Sequence, residues 1–313
     1  MRIGIDIMGG DYAPEAAVIG SFMARDDMPG NIELILYGQK KIIHEIARKN
    51  GFNPQNITIN DTTEVIGMSD HPYRAFKVKK DSSIVKGFVH LKNGQINAFC
   101  SAGNTGAMMV GATQMINSIP GIIRPAIGAN IPSVRGKSSL LLDVGINPDT
   151  RSDVLHQYGI LGNAYVKSLY KIDDPRVGLV NIGSEEEKGN LATKSAYQLM
   201  KESQDFNFVG NIEPNDFFTD PQADVLVCDG FIGNIILKEA EGFYGLLKER
   251  NIHDDFFEVF NFENFGGTPI LGINKPVVVG HGISKELAIK NMILHTWEVL
   301  KNNLIINIKA AIE

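Results

Sequence analysis

The stretch "INAFCSAGNTGAMMV", residues 96–110, passes from one structural type to another through a short turn. The apolar run at its start predicts a strand, and the Ala- and Met-rich run at its end predicts a helix. The first N–H groups of a helix lack partners and carry the positive end of its dipole, which favours an anion. Gly103 and Gly106 leave room for one, and Asn104 and Thr105 can donate to it. The same residues also suit an ordinary capped helix start.

The same alternation of strand-like and helix-like runs continues along the whole chain. It predicts an α/β fold in which helices cover both faces of a mostly parallel sheet. We expect a single domain over residues 1–313, with an appended, less regular segment at residues 243–265. The predicted strands are 2–8, 32–38, 56–60, 96–101, 124–132, 139–145, 176–183, 206–211, 223–230 and 275–281. The predicted helices are 14–25, 40–50, 82–93, 105–117, 152–170, 191–202, 234–250 and 285–307.

Composition narrows the class of protein. The formal net charge is −6 and the Lys and Arg residues are scattered over the 313 residues, so no basic stripe for nucleic acid is visible. Cys100 and Cys228 each end an apolar run, which favours two buried, reduced thiols over a disulfide or a nucleophile. No apolar run approaches the length of a membrane span, and the first residues do not form a secretory signal. We therefore expect a cytoplasmic protein.

Several common site motifs do not occur in the sequence. It has neither the P-loop motif nor the glycine fingerprint of a dinucleotide site, so a nucleotide cofactor is not expected. It also lacks the nucleophile elbow of α/β-hydrolases and any His or Cys spacing typical of zinc. We therefore expect no cofactor and no metal.

Polar residues follow the other predicted strands, where an open parallel sheet has its ligand crevice. Lys188 can neutralise a phosphate as a point charge. Asn234 suits a helix N-cap and equally a donor to a carbonyl oxygen. His281 is the one histidine on a predicted strand-end loop. The candidates at these loops are Asp6, Asp11, Asp143, Lys188, Asn190, Asp229, Asn234 and His281.

Eight motifs lie between residue 1 and about residue 295. In chain order they are "DIMGGDYAPE", "SAGNTGA", "RPAI", "LLDVGIN", "NIGSEEEKGN", "VCDGFIGN", "GGTPILGIN" and "GHGIS". They closely resemble the bacterial phosphate acyltransferases of fatty acid and phospholipid synthesis, the PlsX family. The resemblance implies that the protein converts acyl-acyl carrier protein and inorganic phosphate into acyl phosphate and free carrier. It also implies a Rossmann-like α/β/α sandwich of the isocitrate and isopropylmalate dehydrogenase type, a homodimer, and contact with the inner face of the cell membrane.

The resemblance also implies a phosphate and acyl-thioester site. In it Lys188 would bind phosphate, Asn234 or backbone N–H groups would hold the oxyanion, and His281 would protonate the departing sulfur. The turn at Gly103 and Gly106 would bind the phosphate. The remaining implied residues are Asn104, Thr105, Asp143 and Asn190, with Asp6, Asp11 and Arg124 in a second rank.

Other hypotheses remain at this stage. A phosphotransacetylase-like enzyme of the same superfamily would use a different thioester, and a non-catalytic scaffold would recruit acyltransferases to the membrane. The segment 243–265 is shorter and more acidic than its counterpart in many relatives. Its aromatic residues suit weak apolar contact with a membrane or, equally, a dimer interface.

Overall fold

A computed structural model of the chain describes residues 1–219 and 221–313, with the backbone alone described at Asn56 and Phe262. Its contacts divide the described chain into two compact units. Unit 1 comprises residues 1–118 and 262–301, and unit 2 comprises residues 119–261 and 302–313. Each unit is an α/β structure with its own strands and covering helices. A single functional domain over 1–313 with an appended segment at 243–265 stays a prediction.

The strands are β1 (Arg2–Asp6), β2 (Glu33–Gly38), β3 (Thr58–Asp61), β4 (Ala98–Ser101), β5 (Ala126–Pro132), β6 (Ser138–Leu142), β7 (Arg176–Val180), β8 (Asn207–Ile212), β9 (Val225–Val227), β10 (Gly267–Leu271) and β11 (Val277–Gly280). The helices are α1 (Glu15–Asp27), α2 (Lys40–Lys49), α3 (Pro72–Val78), α4 (Ser83–Lys92), α5 (Thr105–Gly111), α6 (Ser152–Leu169), α7 (Leu191–Glu202), α8 (Gly230–Glu249), α9 (Asp255–Glu258), α10 (Glu286–Lys301) and α11 (Leu304–Ile312).

In unit 1 the strands lie in the order β3-β2-β1-β4-β11-β10. All neighbours are parallel except β10, which pairs antiparallel with β11. Successive side chains of a strand point to opposite faces. Accordingly, Ile3 and Ile5 pack with Val18 of α1 and Ile289 of α10 in one buried cluster. On the opposite face, Phe99 of β4 makes an edge contact with a phenylalanine of α4.

In unit 2 the order is β5-β6-β9-β7-β8, and only the β5–β6 pair is antiparallel. Helix α6 covers one face closely, because a Cβ at Gly162 would lie 2.3 Å from Val225 of β9. Leu141, Leu226 and Phe217 form a buried cluster with further apolar residues of the unit. The parallel α/β architecture predicted from the sequence is therefore confirmed.

The structure differs from the predicted elements in several places. Strand β10 and helix α3 were not predicted, because "GTPIL" contains a proline and α3 is only seven residues long. Helix α5 ends at Gly111 and continues as a π-helix at Ala112–Ile116. The predicted helix 285–307 is two helices, because Asn303 adopts a left-handed conformation with φ 54°. Helix α8 begins at Gly230 and not at residue 234.

The close contact between α4 and β4 predicts that a side chain at Gly87 lowers the free energy of unfolding. A Cβ there would lie 2.1 Å from the ring of Phe99, which is fully buried. We expect Gly87→Val to lower the free energy of unfolding by about 3 kcal/mol or more through overpacking. Gly30→Ala, in the same unit with no atom within 4 Å of its Cβ, should change it by less than about 0.5 kcal/mol. Urea unfolding of both variants measures the difference, and equal effects would contradict the described packing.

Candidate active site

Three loops of unit 1 meet at the carboxyl ends of β1, β4 and β11. The Asp11 N–H donates to Gly282 O at 2.8 Å. A Cβ at Gly9 would lie 2.6 Å from Gly103 Cα, so the first two loops touch. His281 is half-buried in the third loop. The structure thus brings the loops of these predicted residues together within this unit.

Asp6 organises the turn that follows β4. Its carboxylate is 1 % exposed and accepts hydrogen bonds from Ser101 Oγ at 2.7 Å and from the Met8 N–H at 3.0 Å. The Ser101 Oγ in turn accepts from the Gly103 N–H at 2.9 Å. Burial raises the pKa of Asp6 above its usual range. The sequence did not single out Ser101, since serine is common in turns.

Asn104 is the N-cap of α5, since its Oδ1 accepts from the Ala107 N–H at 2.9 Å. Its Nδ2 lies 3.1 Å from Gly67 O and 3.0 Å from Asp70 O, so the same side chain also holds the neighbouring loop. These contacts engage both ends of the amide. The capping alternative is therefore confirmed, and a ligand at this turn would find backbone N–H groups and not the Asn104 amide.

The glycines of this turn also have packing reasons. A Cβ at Gly106 would lie 2.4 Å from the ring of Pro72, and one at Gly103 would lie 3.0 Å from both Asp6 and Gly9. Thr105 is exposed at the first position of α5. A substitution at Gly103 or Gly106 would therefore disturb packing as well as any ligand.

In unit 2, a second buried aspartate lies at the carboxyl end of a strand: Asp143 directly follows β6, whereas Asp6 is the last residue of β1. The Asp143 carboxylate is fully buried and accepts from the backbone N–H groups of Asn147 at 2.7 Å, Ile127 at 3.2 Å and Ile146 at 3.4 Å. The Asn147 Nδ2 donates to it as well, at 3.2 Å. Burial raises the pKa of Asp143. This carboxylate holds the loop after β6 and reaches no solvent.

The start of α8 packs directly on Asp143. A Cβ at Gly230 would lie 2.8 Å from Asp143 Oδ2, and one at Gly233 would lie 1.9 Å from Asp143 O. Asp229 caps the helix, because its Oδ1 accepts from the Ile232 N–H at 2.8 Å. The N-cap alternative for Asn234 is therefore wrong. Asn234 lies one turn further on, is exposed, and has its amide beside Gly145.

Lys188 lies on an exposed loop between β7 and α7. Its Nζ is 3.9 Å from Glu185 Oε1, and its side chain is 46 % exposed. Asn190 caps α7 by accepting from the Thr193 N–H at 2.9 Å, as a polar residue before a helix predicts. Two buried amides that the sequence did not reveal, Asn181 and Asn211, contact the backbone of this loop. Arg124 is exposed and lies beside the loop after β6, with its guanidinium 3.5 Å from Asp149 O.

Comparison with known proteins identifies the family. Residues 1–307 match the model of the family described as "Fatty acid synthesis protein". The phosphate acyltransferase of Thermoanaerobacterium thermosaccharolyticum is 40 % identical over 332 residues, covering 100 % of this chain and 97 % of the relative. The chain belongs to the phosphate acyltransferase family.

The family assignment agrees with the fold of more distant solved structures. A phosphotransacetylase from Streptococcus pyogenes superposes with a TM-score of 0.64 at 19 % identity, covering 96 % of this chain and 94 % of that one. A 4-hydroxythreonine-4-phosphate dehydrogenase from Klebsiella pneumoniae superposes with a TM-score of 0.59 at 11 % identity, covering 95 % and 97 %. At these identities the likeness concerns the fold alone.

The two thiols of this family member are unsuited to nucleophilic chemistry. Cys100 and Cys228 are both free and buried. Burial raises the pKa of Cys100 to about 12 and that of Cys228 well above its usual value. The prediction of two buried, reduced thiols is confirmed. Among residues 1–219 and 221–313, no group of three or more His, Cys, Asp or Glu side chains is arranged to hold a metal ion.

The contacts of Asp143 predict a large structural effect on its removal. Asp143→Ala would leave three backbone N–H groups without their acceptor, two of them buried and that of Ile146 partly buried. We expect the free energy of unfolding to fall by more than about 3 kcal/mol. Asp229→Ala removes only a helix cap and should cost about 1 kcal/mol. Denaturant unfolding of the two variants compares these costs, and a smaller loss for Asp143→Ala than for Asp229→Ala would contradict the scaffold role.

Proposed function

We propose that this protein transfers a fatty acyl group from acyl-acyl carrier protein to inorganic phosphate, giving acyl phosphate for phospholipid synthesis. The observation that carries the proposal is the 40 % identity to a phosphate acyltransferase over the full chain. The buried cysteines fit a reaction in which the substrate, and not the enzyme, supplies the nucleophile.

The reaction requires no covalent enzyme intermediate. A phosphate oxygen attacks the thioester carbonyl carbon, a C–O bond forms, and the carbonyl oxygen becomes an oxyanion. When the oxyanion collapses, the C–S bond breaks, and the departing thiolate takes up a proton. Phosphate is already nucleophilic near neutral pH, so an enzyme accelerates these steps mainly by positioning the reactants and stabilising charge.

We assign the chemical roles to residues whose side chains a ligand can reach. Lys188 would place a positive charge against phosphate, because its side chain is partly exposed and its Nζ is as far as 3.9 Å from the Glu185 carboxylate. Asn234 would donate to the oxyanion from its exposed position on α8. His281 would give the proton to sulfur. Asp6 and Asp143 would act indirectly, through the loops that they hold.

The thioester donor distinguishes two related activities. Phosphotransacetylase-like structures support an acyl-coenzyme A donor as the alternative, although their likeness is one of fold. Incubating the protein with phosphate and either acyl-acyl carrier protein or acyl-coenzyme A, and trapping acyl phosphate with hydroxylamine, separates the two. Acyl phosphate from the carrier protein supports the proposal, and acyl phosphate from coenzyme A alone supports the alternative. No product from either donor would favour a non-catalytic scaffold.

Lys188→Ala should lower kcat/KM for phosphate by about 10- to 100-fold, since a charge-assisted contact to phosphate would be lost. The fold should remain intact because the side chain lies on an exposed loop. Lys194→Ala removes an exposed lysine from the neighbouring helix α7 and provides the matched control. Steady-state assays at varied phosphate concentration measure both. If Lys188→Ala has the phosphate dependence of the wild type, Lys188 does not bind phosphate.

We also infer that the fold is of the isocitrate and isopropylmalate dehydrogenase type, that the protein is a homodimer, and that it makes weak membrane contact. Within the described residues, no helix is both long and apolar enough to cross a bilayer. Helix α8 supports a contact surface, because only its two glycines at residues 230 and 233 are buried. Phe231 and Phe243 are 58 % and 61 % exposed, and Leu246 is also exposed.

The aromatic residues predicted for this contact behave differently from those of α8. Phe256 and Phe257 are half-buried, and Phe256 packs edge-on against Phe260 with ring centroids 5.5 Å apart. Phe260 also contacts Phe218. The side chain of Phe262 lies outside the described part of the chain. Phe243 and Leu246 are therefore better probes of a contact surface than Phe256 and Phe257.

A Phe243→Ser, Leu246→Ser variant tests this surface. Apolar insertion predicts that the wild type floats weakly with liposomes at low and high salt, because the nearby acidic residues give no attraction to anionic lipid. The variant should then remain in the soluble fraction with an unchanged oligomeric state. If neither protein floats and the variant alone becomes monomeric, the surface is a dimer contact and the membrane inference is wrong. Light scattering gives the oligomeric state.

A further inference from the structure

Two buried asparagines lie beneath the loop that carries Lys188. Asn181 follows β7, Asn211 lies in β8, and each side chain is 7 % exposed. The Asn181 Nδ2 donates to Asn211 Oδ1 at 3.1 Å, so the two amides form a pair. Asn181 Oδ1 accepts from the Ile182 N–H at 2.9 Å. Both amides also reach the loop backbone.

The two amides donate hydrogen bonds to the loop backbone at two residues. Asn211 Nδ2 donates to Glu185 O at 2.8 Å, and Asn181 Nδ2 donates to Lys188 O at 3.2 Å. Gly189 has φ +93°, and a Cβ there would lie 2.5 Å from Asn181 Oδ1, so the loop backbone sits directly on this amide. The backbone of Lys188 is thereby fixed while its ammonium stays partly exposed.

Apolar packing does not anchor this loop. Ile182 at one end is 81 % exposed, and Leu191 at the other end is 88 % exposed. Glu186 pairs with Lys201 at 2.8 Å, but the two side chains are 38 % and 53 % exposed, and ion pairs open to solvent contribute little. A buried hydrogen-bonded amide has a larger effect, because removing it leaves partners unsatisfied away from water.

We propose that Asn181 and Asn211 are positioning residues that hold the 181–190 loop so that the Lys188 ammonium is presented to phosphate. The proposal rests on the function proposed above. Neither amide needs to touch a substrate, since each acts through the loop backbone. Loss of the pair should therefore weaken the use of phosphate specifically and leave the use of the acyl donor unchanged.

Asn211→Ala is the principal variant, because it removes the donor to Glu185 O and the acceptor for Asn181. We expect KM for phosphate to rise about 10-fold or more, with a smaller change in kcat and none in KM for the acyl donor. Asn211→Asp keeps the shape but places a carboxylate beside Glu185 O, and should have at least as large an effect. Asn207→Ala, four residues earlier on β8, removes an exposed amide that donates to Asp174 and should match the wild type.

The double variant Lys188→Ala, Asn211→Ala separates positioning from general destabilisation. If Asn211 acts through Lys188, its substitution should cause no further loss once Lys188 is absent. If the two losses multiply, or if Asn211→Ala retains the wild-type KM for phosphate, the positioning role is wrong. Thermal unfolding of each variant shows whether it is folded. If Asn211→Ala is not folded, Asn211→Asp takes its place in these assays.

Trypsin cleavage after Lys188, followed by mass spectrometry, tests the loop without an activity assay. Cleavage should be faster in Asn211→Ala than in the wild type and unchanged in Asn207→Ala. Equal rates in all three proteins would overturn the proposal. If the wild type forms no acyl phosphate, the proposed function is wrong, and the cleavage rates still decide whether the amides hold the loop.

Discussion

A buried carboxylate that accepts hydrogen bonds from several backbone N–H groups is the constraint on which the loop after β6 and the start of α8 depend. Asp143 takes three such hydrogen bonds and lies against the first turn of α8. Removing a charged or polar group from water is unfavourable unless its hydrogen bonds are replaced. The N–H groups of Ile146 and Asn147 in the loop after β6 replace two of these hydrogen bonds, and the Ile127 N–H in β5 replaces a third. The position of Asp143 therefore fixes the start of α8, and with it the positions of Asp229 and Asn234.

Other loops are also held by buried polar side chains through hydrogen bonds. Asp6 holds the turn after β4 through Ser101, and the amides of Asn181 and Asn211 hold the loop before α7. An apolar anchor is tolerant of small displacements, since hydrophobic contacts are not directional. A hydrogen-bonded anchor sets both distance and angle. Loops that must present a charge or a donor at a defined point gain from the second kind of anchor.

The sequence predicted most of the strands because apolar runs of four to eight residues bounded by glycine and polar residues have few other uses in an α/β protein. It failed at β10, where a proline interrupts the run, and at α3, which is too short to show a period. Within the site, the sequence indicated which residues lie at the strand ends, but it did not indicate what each of them does. Asn104 and Asn190 are suited equally to capping a helix and to binding an anion, and only coordinates reveal that both amide oxygens accept from their own helices.

Asn181 and Asn211 could not be found from one sequence for a related reason. Each lies beside glycine or apolar residues, without the spacing that marks a catalytic motif. Their loop partners, Glu185 O and Lys188 O, are separated from them along the chain, and so are the two amides from each other. The polar side chains thus fall into two groups. Asp143, Asn181 and Asn211 are buried, bond to backbone and hold loops. Lys188 and Asn234 are exposed and hold no loop in this way. A reaction that needs only charge and a few well-placed donors can be supported by the exposed group, because the buried group keeps it in position.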